Sequence, residues 1–334
     1  MAVLAASLLG GCSSIGYVAH VSKGQFYMWW DRTPLDPQHV AALTAEEQQG
    51  VRAIDAARAY AATLGLEPST SYRHIIDRDE TSAVRVVVGS PVNRLEAVTW
   101  WLPVVGRMAY RGYFDPDRAQ QYASLLSDQG YDTYVRRAMF YSTLGYFDDP
   151  IPRAALRWSE IELFDVILHE LVHGTIFVAS DVPYNEALAS FIAQEGTLRY
   201  LADRPELQEE ARRMYADRSR YARLIDDLAL ALEGLYASGL SADEAREARE
   251  AIFERFQQEV YPAMGWETDR YAGFTTVALS NAFVVAQRTY SGDLPCMQAE
   301  LETMNGDLDA FIQAHLKRPG RRTQPAEVCT TLES

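Results

Sequence analysis

The feature that most constrains this chain is the stretch His169-Glu170-Leu171-Val172-His173, which lies within a predicted helix. Ser159, followed three residues later by Glu162, is typical of a capping box at a helix N-terminus. The apolar residues that follow predict a buried helix over about residues 160–178. Residues four apart on a helix stand about 40° apart around its axis, so both histidines can face one ion. The stretch therefore predicts an interior helix that binds a metal.

Two histidines are too few ligands for a catalytic zinc site, which needs a third protein ligand and an open position. Glu186 lies thirteen residues after His173, at the start of a second predicted helix over about residues 185–201. If that helix folds back antiparallel, it presents Glu186 to the ion. Glu195, nine residues further on, would point from the opposite face. We therefore expect one Zn²⁺ per chain, bound by His169, His173 and Glu186.

Glu170 is about 100° around the helix from His169, which places its carboxylate beside the ion and not on it. In that position it can deprotonate a zinc-bound water, and we predict it as the catalytic residue. The alternative is a buried helix with two incidental histidines. Burying these polar groups without partners would cost several kcal/mol, which disfavours that alternative. The remaining histidines are in no ligand spacing and are predicted to be surface or structural residues: His20, His39, His74 and His315.

The composition of the 334 residues is that of a globular protein, with 48% hydrophobic and 23% charged residues. Lys and Arg number 31 against 46 Asp and Glu, which gives a net charge of −15. Such an acidic surface repels phosphate backbones, so we expect no nucleic-acid partner.

The N-terminus indicates a bacterial lipoprotein. Residues 1–11 are apolar and small, and Leu9-Gly10-Gly11-Cys12 resembles a lipobox. We expect a signal peptide over residues 1–11, lipidation of Cys12, and anchoring in the cell envelope. Ser13 after the cysteine favours the outer membrane, facing the periplasm. No Lys or Arg precedes the apolar run, and a buried N-terminal segment with an incidental cysteine is the alternative.

Cys296 and Cys329 are the other two cysteines of the chain. Outside the cytoplasm this pair can oxidise, and the bridge would stabilise the fold by about 3 kcal/mol. Two unrelated thiols are the alternative.

The hydrophobic patterning predicts a mainly α-helical α+β fold in a single domain over residues 12–334. A strand-rich part is expected over about residues 80–150 and a helical part over about residues 155–316. Within these parts we predict helices at 46–64, 118–129 and 275–290, strands at 83–88 and 134–147, and a solvent-facing helical hairpin formed by 205–236 and 241–260.

The chain resembles the aminopeptidase family of bacterial envelope lipoproteins, a gluzincin-type HExxH group. The resemblance extends from Cys12 to about Tyr290 and rests on these segments: Gly16-Tyr17, Gly24-Gln25, residues 110–115, residues 141–150, residues 169–175, residues 184–186 and Asn281-Ala282. It implies a zincin-like fold, the ligands His169, His173 and Glu186, and Glu170 as the catalytic carboxylate. The chain has no Gly-x-Met-Glu-Asn segment, whose glutamate grips the free amine in better-known zinc aminopeptidases. Aminopeptidase specificity is therefore implied by the resemblance alone.

The predicted function is zinc-dependent hydrolysis of peptide bonds with a zinc-activated water. Tyr141 and Tyr290 are candidates for stabilising the transition state, and the sequence does not choose between them. The alternative function is a non-catalytic envelope lipoprotein that keeps zinc for stability or for binding a partner.

Overall fold

Helices make up most of the chain that the structure describes, and the strands form three small sheets. The structure is a computed structural model and describes residues 17, 20–21, 23–24, 26–66, 70–77, 84–102, 106–138, 140, 148–179, 181–288 and 294–316. The helices are α1 Pro37–Ala41, α2 Ala45–Thr63, α3 Pro116–Asp128, α4 Glu160–Thr175, α5 Val182–Tyr200, α6 Pro205–Tyr236, α7 Ala242–Arg255, α8 Tyr261–Ala263, α9 Asn281–Arg288, α10 Leu294–Thr303 and α11 Leu308–Leu316. The strands are β1 Arg32–Pro34, β2 His74–Ile76, β3 Val84–Pro91, β4 Trp100–Leu102, β5 Gly106–Met108, β6 Arg111–Tyr113, β7 Tyr131–Ala138 and β8 Ile151–Pro152. The expected α+β class with mainly helical content is confirmed.

The longest strand, β3, pairs antiparallel with β6 on one side and β7 on the other. Its valine run is buried on both faces of the sheet. Val87 packs with α3, whereas Val86 and Val88 pack with α9. A β-branched run without alternation is typical of a strand covered on both sides. The other sheets are β1-β2-β8 and the pair β4-β5, so strands also precede residue 80.

The main hydrophobic core surrounds α4, the helix that carries the two predicted histidine ligands. Leu163, Phe164, Leu168 and Leu171 of α4 belong to this core, together with residues of α2, α5, α10 and α11. The 3₁₀ turn Arg153–Arg157, just before α4, lies against α2 at Gly50. A Cβ atom at Gly50 would lie 2.1 Å from the Leu156 carbonyl oxygen, so only glycine fits there. The helix α4 is therefore packed among other helices.

The sequence predicts that the hairpin of α6 and α7 faces solvent. This prediction is wrong for one side of the hairpin, which is buried. Leu224, Leu228 and Leu232 of α6 pack in a second core, with Phe253 of α7 and Phe283 of α9. The three leucines recur every four residues, so they form one stripe on a helix whose other faces are charged. The many charged residues of this helix made the stripe hard to recognise in the sequence.

Several element boundaries differ from the prediction. The helix α4 ends at Thr175, not at residue 178, because Ile176 has an extended backbone. The strand expected at 134–147 is β7, which ends at Ala138, and residues 141–147 lie outside the described part. The helix expected at 275–290 is the shorter α9, preceded by a 3₁₀ turn over Ala272–Thr275.

Cys296 is buried in α10 and is disulfide-bonded. Cys12 and Cys329 both lie outside the described residues, so the Cys296–Cys329 pairing stays a prediction. Among the described helices, we find none that combines the length and the apolar character needed to cross a bilayer.

Candidate metal centre

The helix α4 begins where the sequence predicts. The Ser159 hydroxyl accepts a hydrogen bond from the Glu162 backbone N–H, and the Glu162 carboxylate accepts one from the Ser159 backbone N–H. Its apolar residues then seat it in the main core. This rigid, buried helix carries His169 and His173 one turn apart.

The two imidazoles and one carboxylate converge on a single point. The Nε2 atoms of His169 and His173 lie 3.0 Å apart. The Glu186 carboxylate lies 3.4 Å from Nε2 of His169 and 3.7 Å from Nε2 of His173. The three ligand atoms all fall within 4.8 Å of one another, as one ion would require. Within the described part of the chain, no other group of three such side chains comes together.

Glu186 reaches this point because Asn185, beside it in α5, binds the connection from α4. The Asn185 side-chain amide donates to the Val178 carbonyl oxygen at 2.7 Å, and its Oδ1 accepts from the Val178 N–H at 2.8 Å. The NH₂ group and the oxygen of the Asn185 side chain are thus both hydrogen-bonded. These bonds fix the segment between α4 and α5 to the first turn of α5. The sequence predicted the position of Glu186 but not this role of Asn185.

The outer nitrogens of the two histidines differ in their surroundings. Nδ1 of His169 lies 3.5 Å from the Ser190 hydroxyl, which is one turn beyond Glu186 on α5. Nδ1 of His173 is buried and has no hydrogen-bond partner among the described residues. A buried polar atom of this kind carries a desolvation cost. Coordination at Nε2 would leave this Nδ1 atom unpaired, so the fit to zinc rests on the ligand types, two imidazoles and one carboxylate, which are those of catalytic zinc sites.

The electrostatics of the two glutamates differ. Burial by itself would raise the pKa of Glu186, but hydrogen bonds and charge interactions with His169 and His173 lower it well below its usual range. Burial raises the pKa of Glu170 to about 7, with His173 opposing the rise and the carboxylates of Glu186 and Asp149 adding to it. Glu170 thus lies near the cluster without belonging to it.

A further carboxylate on α4 was missed by the sequence analysis. Asp165, one turn before His169, is buried and accepts hydrogen bonds from the Tyr215 hydroxyl at 2.9 Å and from the Arg218 guanidinium at 2.6 Å. Both partners belong to α6. An aspartate among the apolar residues Phe164, Val166 and Ile167 indicates that its side chain has partners, because burying it alone would be costly. The sequence does not say where they are.

The remaining predicted residues lie away from the cluster or outside the described part. Glu195 pairs with Arg199 at 3.2 Å on its own helix and takes no part in the cluster. His315 is buried, and its Nδ1 lies 2.7 Å from the Tyr184 hydroxyl, so it is a structural residue. The residues that fall outside the described part are Cys12, Tyr141, Tyr290 and Cys329.

Fold and site together define a mainly helical α+β protein with a candidate His₂Glu metal centre between two packed helices, α4 and α5. The model of the family described as "Putative aminopeptidase" matches residues 16–324, and the chain belongs to this family. The family's description indicates a peptidase, which is a hydrolase acting on peptide substrates. The chain matches no curated protein and no solved structure.

Proposed function

We propose that this chain is a zinc-dependent peptidase with a zincin-like fold of gluzincin type, and that it acts as an aminopeptidase. The observation that carries the proposal is the convergence of His169, His173 and Glu186 within 4.8 Å. Imidazole and carboxylate ligands in this number are those of catalytic zinc sites, which leave one position open. The family supplies the class of substrate.

In this proposal His169, His173 and Glu186 hold one zinc ion. Zinc bound there would supply Lewis-acid chemistry: it polarises a carbonyl and lowers the pKa of a water. Glu170 accepts the proton from the attacking water and passes it to the leaving amine. Ser190 orients the His169 ring from its far side.

The test compares Glu170→Gln with the wild type. Glutamine keeps the shape of the side chain but removes the base, and it leaves the three ligands intact. We expect the zinc content and melting temperature of the wild type, with peptide hydrolysis lower by about 10²- to 10⁴-fold. His169→Ala should lose zinc and activity together. Wild-type turnover by Glu170→Gln would contradict the role of Glu170.

Pairs of peptides with free and acetylated N-termini test the exopeptidase part of the proposal. An aminopeptidase cleaves only the free form, and its activity disappears with a chelator. A zinc-loaded wild type that cleaves neither form would instead support the second function considered above, a non-catalytic lipoprotein that keeps zinc for stability or binding. The carboxylate of Glu170 favours the catalytic function, since a purely structural site has no need of it.

We further propose that Cys12 is acylated and that the protein is anchored in the bacterial envelope, at the periplasmic face of the outer membrane. The support is the lipobox-like sequence Leu9-Gly10-Gly11-Cys12. A palmitate analogue should label the wild type and not Cys12→Ala. An unlabelled wild type would contradict the proposal.

A further inference from the structure

The described residues from Tyr17 to Trp30 are largely helical, and one side of this segment is seated on the protein. The Tyr17 hydroxyl accepts a hydrogen bond from the Gly112 N–H at 3.1 Å, and Nε2 of His20 accepts one from the Phe114 N–H at 3.3 Å. Further along the same side, a Cβ atom at Gly24 would lie 2.1 Å from the Phe114 ring. The segment is therefore held against β6 and the residues that follow it, with a defined inner side.

The outer side carries four aromatic residues, which we call the N-terminal aromatic face. Their exposed fractions are 56% for Phe26, 45% for Tyr27, 46% for Trp29 and 69% for Trp30, whereas Met28 between them is buried at 9%. The Phe26 and Trp30 rings stack with centroids 6.0 Å apart. A helix side that faces water is normally polar. A contiguous exposed aromatic patch instead marks a surface that binds something.

Two cations accompany the aromatic rings. The Lys23 ammonium lies 5.7 Å from the centroid of the Tyr27 ring, and the Arg32 guanidinium lies 5.1 Å from that of Trp29. Arg32 also pairs with Asp148 at 3.4 Å, so its position is fixed by the fold. Amphipathic aromatic rings beside basic side chains are typical of segments that lie at a membrane–water interface.

We propose that the N-terminal aromatic face lies in the headgroup region of a phospholipid bilayer. The Lys23 ammonium at one end of the face can bind an anionic headgroup. At the other end Arg32 is paired with Asp148 and the exposed Asp31 follows Trp30, so the aromatic rings supply most of the attraction. Tyr17, where the described segment begins, follows Cys12 by five residues, a span of roughly 18 Å at most. An anchor at Cys12 would therefore keep the face within reach of the same bilayer. The proposal is independent of the peptidase function.

The experiment measures partitioning of the mature chain, residues 12–334, onto vesicles of phosphatidylethanolamine and phosphatidylglycerol. All proteins carry Cys12→Ala, so neither an acyl chain nor the apolar residues 1–11 contribute. The face variant combines Phe26→Ser, Trp29→Ser and Trp30→Ser. The matched control is Trp101→Ser on β4, because Trp101 is 69% exposed but lies outside the face. These side chains are exposed, so melting temperatures should agree with that of the Cys12→Ala parent.

We expect the partition coefficient of the face variant to fall at least about tenfold, since each ring removes a large apolar area from water. Trp101→Ser should keep the partition coefficient of the parent. Brominated acyl chains should quench tryptophan fluorescence in the parent and in Trp101→Ser, and much less in the face variant. Equal partitioning of the face variant and the control would overturn the proposal. The proposal would also be overturned if the face variant differed from the Cys12→Ala parent only in its oligomeric mass. A second copy of the chain, and not a bilayer, would then cover the face.

Discussion

At the scale of single residues, the side of the helix on which an acid lies determines whether it can be a ligand. Glu186 and Glu195 belong to the same helix and are nine residues apart. Glu186 meets the two histidines, whereas Glu195 pairs with Arg199. Helical spacing alone predicts this difference, because nine residues place a side chain half a turn away.

The metal content of two variants tests this assignment. Glu186→Ala removes one of the three proposed ligands, so we expect most bound zinc to be lost. Glu195→Ala removes only a pair on the helix surface and should keep one zinc per chain. Elemental analysis after dialysis against a weak chelator is the measurement. Zinc loss in Glu195→Ala with retention in Glu186→Ala would show that the ligand is wrongly assigned.

Glu47 is a second acid whose pKa is set by its surroundings. Its side chain is fully buried and accepts hydrogen bonds from the Arg153 guanidinium at 2.9 and 3.2 Å and from the Thr44 N–H at 2.9 Å. These bonds, with that of Arg153 the largest, lower the pKa of Glu47 to about 2. A depressed pKa in the folded state stabilises the protein above the unfolded pKa, and the benefit is lost as the pH falls.

The free energy of unfolding should therefore decrease as the pH falls from about 4.5 to about 2, in part because Glu47 takes up a proton. In Glu47→Gln this contribution is absent, so stability in that window should depend less steeply on pH, by up to about 1.4 kcal/mol per pH unit. Glu46→Gln, at an exposed neighbour, is the control and should follow the wild type. Denaturant titrations across the window supply the measurement, and parallel curves for Glu47→Gln and wild type would contradict the role of Glu47.

At the scale of elements, the site depends on how α4 and α5 are joined. Asn185 ties the connection to α5 through both groups of its side chain. Asn185→Ala leaves the Val178 N–H and carbonyl without these partners. We expect it to lower stability by about 2 kcal/mol and zinc affinity by about tenfold. Competition with a zinc dye measures the affinity, with Glu195→Ala on the same helix as the control. Unchanged affinity would mean that Asn185 does not position Glu186.

The contact between α4 and α6 depends on Asp165 and its partners. Arg218→Ala leaves this buried carboxylate without its cation, and we expect a loss of about 2 to 3 kcal/mol because Arg218 is itself partly exposed. Arg212→Ala, on the same helix, removes an exposed side chain bonded only to Gln208 among the contacts described. It should change stability by less than about 0.5 kcal/mol. Equal melting curves for the two variants would contradict a supporting role for the Asp165–Arg218 pair.

At the scale of the whole molecule, the main core contains α4 and α5, and a second core lies between α6, α7 and α9. The sequence predicted α2, α3, α4, α5 and α6 to within a few residues, because helical periodicity and caps are local signals. It did not predict that α6 and α7 enclose a second core. That core depends on which residues of distant helices face one another.

From local spacing, the sequence predicted the helix that carries His169 and His173 and the carboxylate of Glu186 that lies beside them, because positions one turn apart face the same way and Glu186 begins the next helix. Tertiary structure alone determined the partners of Asp165 on α6 and the contact of Asn185 with Val178. It also determined which side of the Tyr17–Trp30 segment is buried, and hence that its aromatic residues are exposed. The difference arises because the spacing of side chains along a helix is set by local bonded geometry. Contacts between elements depend instead on the packing of residues that are far apart in the sequence.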